Sequence, residues 1–166
     1  IGWVSMKSDL IDPQHVGISF KSSWWGGVSH CHADQNSFIV YAYGEPLAVD
    51  SGYFDYANSE HDKNYSRQTF AHNAITYNGG QGQYYLNPDQ VRNINAKGKI
   101  TGYLHGDKFN LASGDAERAY LELDKAERHF IYLKPDYAIV IDELSSNDDE
   151  KVQFEFNLKG YTAFEV

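Results

Sequence analysis

Apolar and polar positions along this chain follow a period of two more often than any other. Segments such as Arg128-His129-Phe130-Ile131-Tyr132 and Val152-Gln153-Phe154-Glu155-Phe156 carry the pattern. That period sends successive side chains to opposite faces of an extended backbone, which is the mark of a half-buried strand. It predicts strands over 16–21, 37–43, 46–50, 73–77, 99–104, 108–112, 126–133, 137–142 and 151–158, and Gly2-Trp3-Val4-Ser5-Met6 opens the chain in the same manner. Turn signals of hairpin length separate them: Tyr43-Gly44-Glu45-Pro46, Leu104-His105-Gly106-Asp107 and Lys134-Pro135-Asp136. Only 116–123 offers a helical period. The expected fold is therefore all-β, a two-layer antiparallel β-sandwich of jelly-roll type.

Two stretches break the strand rhythm, 53–71 and 78–95. Both are polar and aromatic, with Asn78-Gly79-Gly80-Gln81-Gly82-Gln83 as the extreme case. Loops of this length in a compact domain are usually functional or disordered. These two bracket His72, which favours function. Ser145-Ser146-Asn147-Asp148-Asp149-Glu150 reads as a solvated turn without a role.

At 166 residues the chain is expected to form one domain over 1–166, able to bury roughly 70% of its unfolded surface. Cys31 is the single cysteine, so no intramolecular disulfide framework exists and the compartment is not set by cysteine. The first residue is Ile1, with no signal-peptide pattern and a strand-like start, which is the expectation for a piece of something longer. No apolar run reaches the length of a membrane span. The net charge of −9, without a block of Lys or Arg, argues against nucleic acid as a partner. It also argues against simple electrostatic capture of a polyanion. Aromatics make up 15% of the residues and include thirteen tyrosines. Such rings line carbohydrate grooves, stacking on sugar faces while the hydroxyl hydrogen-bonds, though each is equally an ordinary strand residue.

The candidate chemistry concentrates in Ser29-His30-Cys31-His32-Ala33-Asp34-Gln35-Asn36-Ser37-Phe38. In an extended segment His30 and His32 share a face, with Cα atoms about 6.5 Å apart. Asp50, in Ala48-Val49-Asp50-Ser51-Gly52-Tyr53, and His72, in Phe70-Ala71-His72-Asn73-Ala74, lie downstream. Together they make a nitrogen and oxygen ligand set suited to a divalent metal of the zinc type. Two readings stand side by side: three ligands from His32, Asp50 and His72 with His30 as a fourth ligand or a free neighbour, or histidines hydrogen-bonded in a polar cleft. Asp34 and Asn36 serve either to fix an imidazole tautomer or to form a turn. Cys31 points away from the histidine face. Arg67 is either a bidentate grip on a carboxylate or a solvated loop residue. His15, His61, His105 and His129 carry no assigned role. A cupin-like metal barrel would want a Glu three or four residues after the second histidine, and Asn36 and Ser37 stand there instead.

Beyond this residue-level reading, the chain resembles the C-terminal β-sandwich of heparinase II/III-like polysaccharide lyases, and within them the exo-acting oligoalginate lyases. The resemblance is carried by the Ser29–Phe38 block, Gly44-Glu45-Pro46-Leu47-Ala48-Val49-Asp50-Ser51-Gly52-Tyr53, Arg67-Gln68-Thr69, Ala71-His72-Asn73-Ala74-Ile75, Asn78-Gly79-Gly80-Gln81-Gly82-Gln83, and Arg128-His129 leading to Lys134-Pro135-Asp136-Tyr137. It spans most of the chain in order. Cys31 replaces the small residue the family pattern has.

The resemblance implies β-elimination on a uronate-containing polysaccharide or oligosaccharide, alginate-like or a glycosaminoglycan. It implies one structural zinc ion held by His32, Asp50 and His72, with His30 as the catalytic cleft residue; Arg67 is the candidate substrate-binding residue by its own chemistry. It further implies an N-terminal helical toroid as the partner that supplies the Tyr and His acid–base pair, and a periplasmic or secreted location. Nothing helical precedes Ile1, so the isolated piece is expected to be inactive. The competing reading is a non-catalytic carbohydrate-binding sandwich with a structural metal.

Overall fold

The computed structural model describes residues 2–24, 31–52, 55–84, 93–146 and 152–160. Among the described residues ten strands are present: β1 (Trp3–Lys7), β2 (Gly17–Lys21), β3 (Ser37–Ala42), β4 (Glu45–Ala48), β5 (Ile75–Tyr77), β6 (Lys99–His105), β7 (Phe109–Asp115), β8 (Leu123–Leu133), β9 (Tyr137–Ser146) and β10 (Phe154–Phe156). They form two four-stranded antiparallel sheets, β1-β2-β3-β4 and β6-β7-β8-β9, and a two-stranded β5-β10 ribbon. The all-β sandwich expected from the alternation is what the chain adopts. Consecutive strands pair within each large sheet, through tight turns at β3–β4, β6–β7 and β8–β9 and through longer connections elsewhere.

The alternation has a direct consequence for packing. Along β8 the inward positions are Ala126, Arg128, Phe130 and Tyr132, all buried, while the residues between them are partly exposed. Ile18 and Phe20 of β2 and Phe38 of β3 face them from the other sheet, and one core includes residues of both layers. The Phe38 and Phe130 rings stand 4.9 Å apart at 59°, a tilted arrangement favoured by the ring quadrupole. A second core gathers Tyr77, Ala116, Ala119, Tyr120, Leu123 and Ala126, with Phe154 packed on it.

One inward position of β8 is charged. The Arg128 side chain is 1% exposed and forms a two-pronged ion pair with Asp142, Nε to Oδ1 at 2.6 Å and Nη2 to Oδ2 at 3.0 Å. Its Nη1 donates to the carbonyls of Asn36 and Asn73, each at 2.8 Å, and the guanidinium lies against the Phe38 and Phe156 rings. A single side chain thus ties β9 to the segments that precede β3 and β5.

Departures from the sequence expectation are local. The 116–123 segment is a 3₁₀ turn (Glu117–Ala119) entering β8 rather than a helix, since Tyr120 turns inward as an extended residue. A π-helical turn (Asp62–Ser66) and a 3₁₀ turn (Thr69–Ala71) occupy the first long loop. Asn73 and Ala74 precede β5 instead of belonging to it, and Asp50 lies beyond β4. The expected turn at 147–150 and the start of the last strand at 151 lie outside the described residues.

Candidate functional site

His32 leads into β3, Asp50 follows β4, and His72 closes the Thr69–Ala71 turn. Because β3 and β4 are antiparallel neighbours, the start of one and the end of the other fall at the same end of the sheet. Asn73 holds the third segment there: its Nδ2 donates to the carbonyls of Phe38 and Val49 at 2.8 and 3.0 Å. Its Oδ1 accepts the Lys159 N–H at 2.6 Å. His30 lies outside the described residues.

The His72 imidazole is 1% exposed. Its Nδ1–H donates to Asp50 Oδ2 at 2.7 Å, which leaves Nε2 as the remaining ring nitrogen. That atom is buried and has no hydrogen-bond partner among the described residues. The His32 ring stands 5.2 Å away, centroid to centroid, at 43°. Burial, and then the neighbouring His72, hold His32 below the ordinary imidazole range, so it is neutral and carries a lone pair at pH 7. Burial alone would push the Asp50 carboxyl up, but hydrogen bonding and charge from His72 and the Gly52 N–H outweigh it and hold the pKa low. The corner therefore contains a neutral His32 imidazole and an Asp50 carboxylate beside the buried His72 ring, and a neutral imidazole and an ionised carboxylate are the forms that metal ligands require.

This donor set fits a divalent cation. An unpaired buried nitrogen lone pair loses its hydration without compensation, and a histidine whose other ring N–H is fixed by a carboxylate is the usual form of a metal-ligating imidazole. Among the described residues, the donor atoms of His32, Asp50 and His72 do not all come within 4.8 Å of one another. In this geometry Asp50 stands as the group that fixes the His72 tautomer.

Arg67 lies behind the corner, 4% exposed, with its Nε 2.8 Å from Asp62 Oδ2. Its carbonyl accepts the Ala33 N–H at 2.9 Å, which docks the His32 segment onto the π turn. Neither expectation for this residue, solvated loop or open grip, includes the Asp62 carboxylate that it meets. Asp34 pairs with Lys21, a partner that neither expectation for it included. Tyr65 is a residue that the sequence did not distinguish from the other tyrosines. Its hydroxyl is 3.3 Å from Ser51 Oγ, next to Asp50, and its ring packs on His61 and Phe70. It places a partly exposed proton-carrying group at the edge of the corner.

The surrounding motif residues act as cross-links. Gln35 N–H donates to Gln83 Oε1 and Gln83 Nε2 donates to the Gln35 carbonyl, both at 2.8 Å. Gln83 N–H also donates to Thr69 Oγ1 at 2.8 Å. Asn36 adopts φ 58°, in the left-handed region that Asn tolerates, and its Nδ2 donates to the carbonyls of Gly114 and Ala126. All these partners lie far off in sequence, which is why the sequence alone did not reveal them.

A second donor cluster lies on the outer face of β8 and β9. Ligand atoms of Glu127, His129 and Glu143 all lie within 4.8 Å of one another, Glu127 and Glu143 being register partners. His129 is placed outward as its alternation indicates. The sequence did not show that two carboxylates join it. Lys125 Nζ, 2.5 Å from Glu143 Oε2, already supplies a counter-charge there.

The family model described as "Heparinase II/III-like, C-terminal" matches residues 1–166. Similar solved structures include a mutant of the heparan sulfate lyase HepC from Pedobacter heparinus, with a TM-score of 0.74 and 21% identity over 95% of this chain and 23% of that one. Unmutated HepC from Pedobacter heparinus aligns with a TM-score of 0.70 and 22% identity over 87% of this chain and 21% of its own. A structure of heparinase III aligns with a TM-score of 0.69 and 20% identity over 97% and 24%. The chain therefore spans less than a quarter of these proteins. No curated protein matches it.

Proposed function

The chain belongs to the heparinase II/III-like C-terminal family, and from that premise we propose that it is part of a polysaccharide lyase cleaving uronate-bearing chains by β-elimination. The observation that carries the reading is His72, buried between Asp50 and the His32 ring with its Nε2 open, in a chain that the family matches throughout. Relatives named as heparan sulfate lyases favour a glycosaminoglycan over an alginate-like substrate.

Elimination removes the proton from C5 of the uronate, places charge on the adjoining carboxylate, and expels the 4-O-linked sugar. It needs a base, an acid for the leaving oxygen, and donors that strengthen as the enolate-like charge develops. In our assignment His30 donates to the substrate carboxylate. His32 and His72 would hold a zinc ion, with Asp50 as the third ligand once it turns from the His72 Nδ1–H, and the ion would supply a fixed positive charge and join three chain segments. Arg67 and Asp62 set the position of the His32 segment from behind, Arg67 acting on the substrate side only through it. The Tyr and His acid–base pair belongs to a helical toroid elsewhere in the parent protein, and the location is periplasmic or secreted.

The test is formation of unsaturated uronate, followed by ultraviolet absorbance, on the full-length parent with a panel of uronans. Turnover on at least one uronan is expected. His30→Ala should lower it about 100-fold, as for loss of one preorganised donor, with zinc content unchanged. Chelation should lower the melting temperature of the wild type and leave His72→Ala unaffected. Saccharide binding without any unsaturated product would favour the non-catalytic binding module, and metal loss in His30→Ala would make His30 a ligand.

A further inference from the structure

We infer that a pocket lined by Trp24, Lys97, Lys99 and Arg118 is a subsite for an acidic sugar, separate from the His32, Asp50 and His72 corner. The pocket has a volume of about 80 Å³, and its remaining wall is Gly98 and Asp115. Three cations face one carboxylate there, in a chain whose net charge is −9. The absence of any Lys or Arg block from the sequence is thus misleading. The cations come from the approach to β6, from β6 itself and from the Glu117–Ala119 turn, and only the fold gathers them.

The aromatic wall matches the charge. Trp24 is 58% exposed, which is unusual for the residue type with the largest apolar surface to hide. Lys97 Nζ stands 5.9 Å from the centre of its ring. A pyranose stacks on such a ring through its C–H face, while the ammonium and guanidinium groups around it hold a carboxylate or sulfate substituent. Lys99 is shared with Asp115 at 3.0 Å, so Lys97 and Arg118 are the two cations of the pocket with no carboxylate in hydrogen-bonding range among the described residues.

The wall is also built rather than incidental. A Cβ on Gly98 would lie 2.4 Å from Ser22 Oγ and 3.0 Å from Gln35 Oε1, and Gly98 N–H donates to the Ser23 carbonyl at 2.7 Å. Lys97 and Lys99 are thereby held on either side of a backbone pinned to the residue before Trp24. Ser23 N–H in turn donates to Gln35 Oε1 at 2.7 Å. The segment between Ser23 and Gln35 therefore starts and ends at one point, with Trp24 at its beginning and His32 near its end. An acidic chain seated on Trp24 lies at the same end of the fold as the histidine corner.

The ligand class rests on the lyase reading, but the site itself does not. The test uses calorimetric titration of the 166-residue chain with four probes: an unsulfated oligouronate, a heparin-derived oligosaccharide of equal length, a neutral maltooligosaccharide, and an oligophosphate of matched charge. Binding of one or both acidic saccharides is expected, weakening as salt screens the cations. Lys97→Glu with Arg118→Glu should weaken it at least about 10-fold, and Trp24→Ala should do so by a similar factor, the loss of one stacked ring. Unchanged melting temperatures show that both variants are folded. Unchanged affinity in either variant would overturn the subsite, as would equal binding of the neutral sugar or the oligophosphate. Failure of the lyase reading shows up differently, as a parent that never forms unsaturated product although the subsite binds.

Discussion

Replacing Arg128 by Met should be among the most damaging single changes available to this fold. The methionine keeps the apolar stem against Phe38 and Phe156 and deletes only the guanidinium. Asp142, 16% exposed, then loses both prongs of its partner. The carbonyls of Asn36 and Asn73 each lose a donor inside the protein. Breaking one side of a buried ion pair costs about 3–5 kcal/mol, and each stranded carbonyl adds about 1 kcal/mol or more. The terms overlap, so the expected loss is about 4–6 kcal/mol, a large part of the stability of a typical domain. For a chain of this size that corresponds to a melting temperature lower by about 10–20 °C. Urea denaturation of wild type, Arg128→Met, Asp142→Leu and the double variant measures it. The double variant should recover much of the loss, because no charge is left buried alone. A single-variant loss under about 1 kcal/mol would refute the argument that this guanidinium clamps the two layers.

Asp62 and Gly114 give two further tests. Burial opposes ionisation of Asp62, but the Asn58 N–H and Arg67 prevail and hold its pKa below the ordinary 3.8. Its contribution to stability is therefore present above that value and lost as pH falls through the lower folded one. Asp62→Asn should be less stable than wild type at pH 7, with the gap closing below pH 3.8 in denaturation series, and a gap constant down to pH 3 would count against the ion pair. Gly114→Ala would set a Cβ 2.4 Å from Asn36 Oδ1 and 2.9 Å from Phe20 Cζ. Overpacking of this kind costs about 1–3 kcal/mol, and a variant that melts with the wild type would show that Asn36 moves aside freely.

The strands were legible because their signal is local: alternation over a few residues and turn chemistry between them. The helical turn at Asp62–Ser66 was not, since it is held by Ser59, Asn58 and Arg67 rather than by an apolar stripe. Spacing also put His32 in a plausible cluster with Asp50 and His72, and the fold sets these three at one end of a sheet. Sequence could not say that Arg67 would turn inward to Asp62, because a buried arginine reads the same as a solvated one until its partner is placed. Gln35, Gln83 and Arg128 were quoted as motif residues with no role attached. Their partners lie 12 to 92 positions away, beyond any local pattern.

Those long-range bonds decide how the candidate site is supported. The segment that carries His32 is fixed at Gln35 by the amide pair with Gln83, and at Asn36 by Arg128, Gly114 and Ala126. The segment that carries His72 is fixed one residue later, where Asn73 reaches β3, Val49 and Lys159 and again meets Arg128. His72 is thus followed at once, and His32 four residues on, by a buried asparagine, and the two asparagine carbonyls share one guanidinium. A side chain placed this way is held by the hydrogen bonding of the fold rather than by its own contacts, which is the condition for a preorganised site. It also separates two kinds of position. Arg128, Asn36 and Asn73 face inward and fix the distance between His32 and His72, whereas Trp24, Lys97 and Arg118 stand on the same scaffold facing solvent. Changes of the first kind should move the corner and the stability together, and changes of the second kind should leave the stability unchanged.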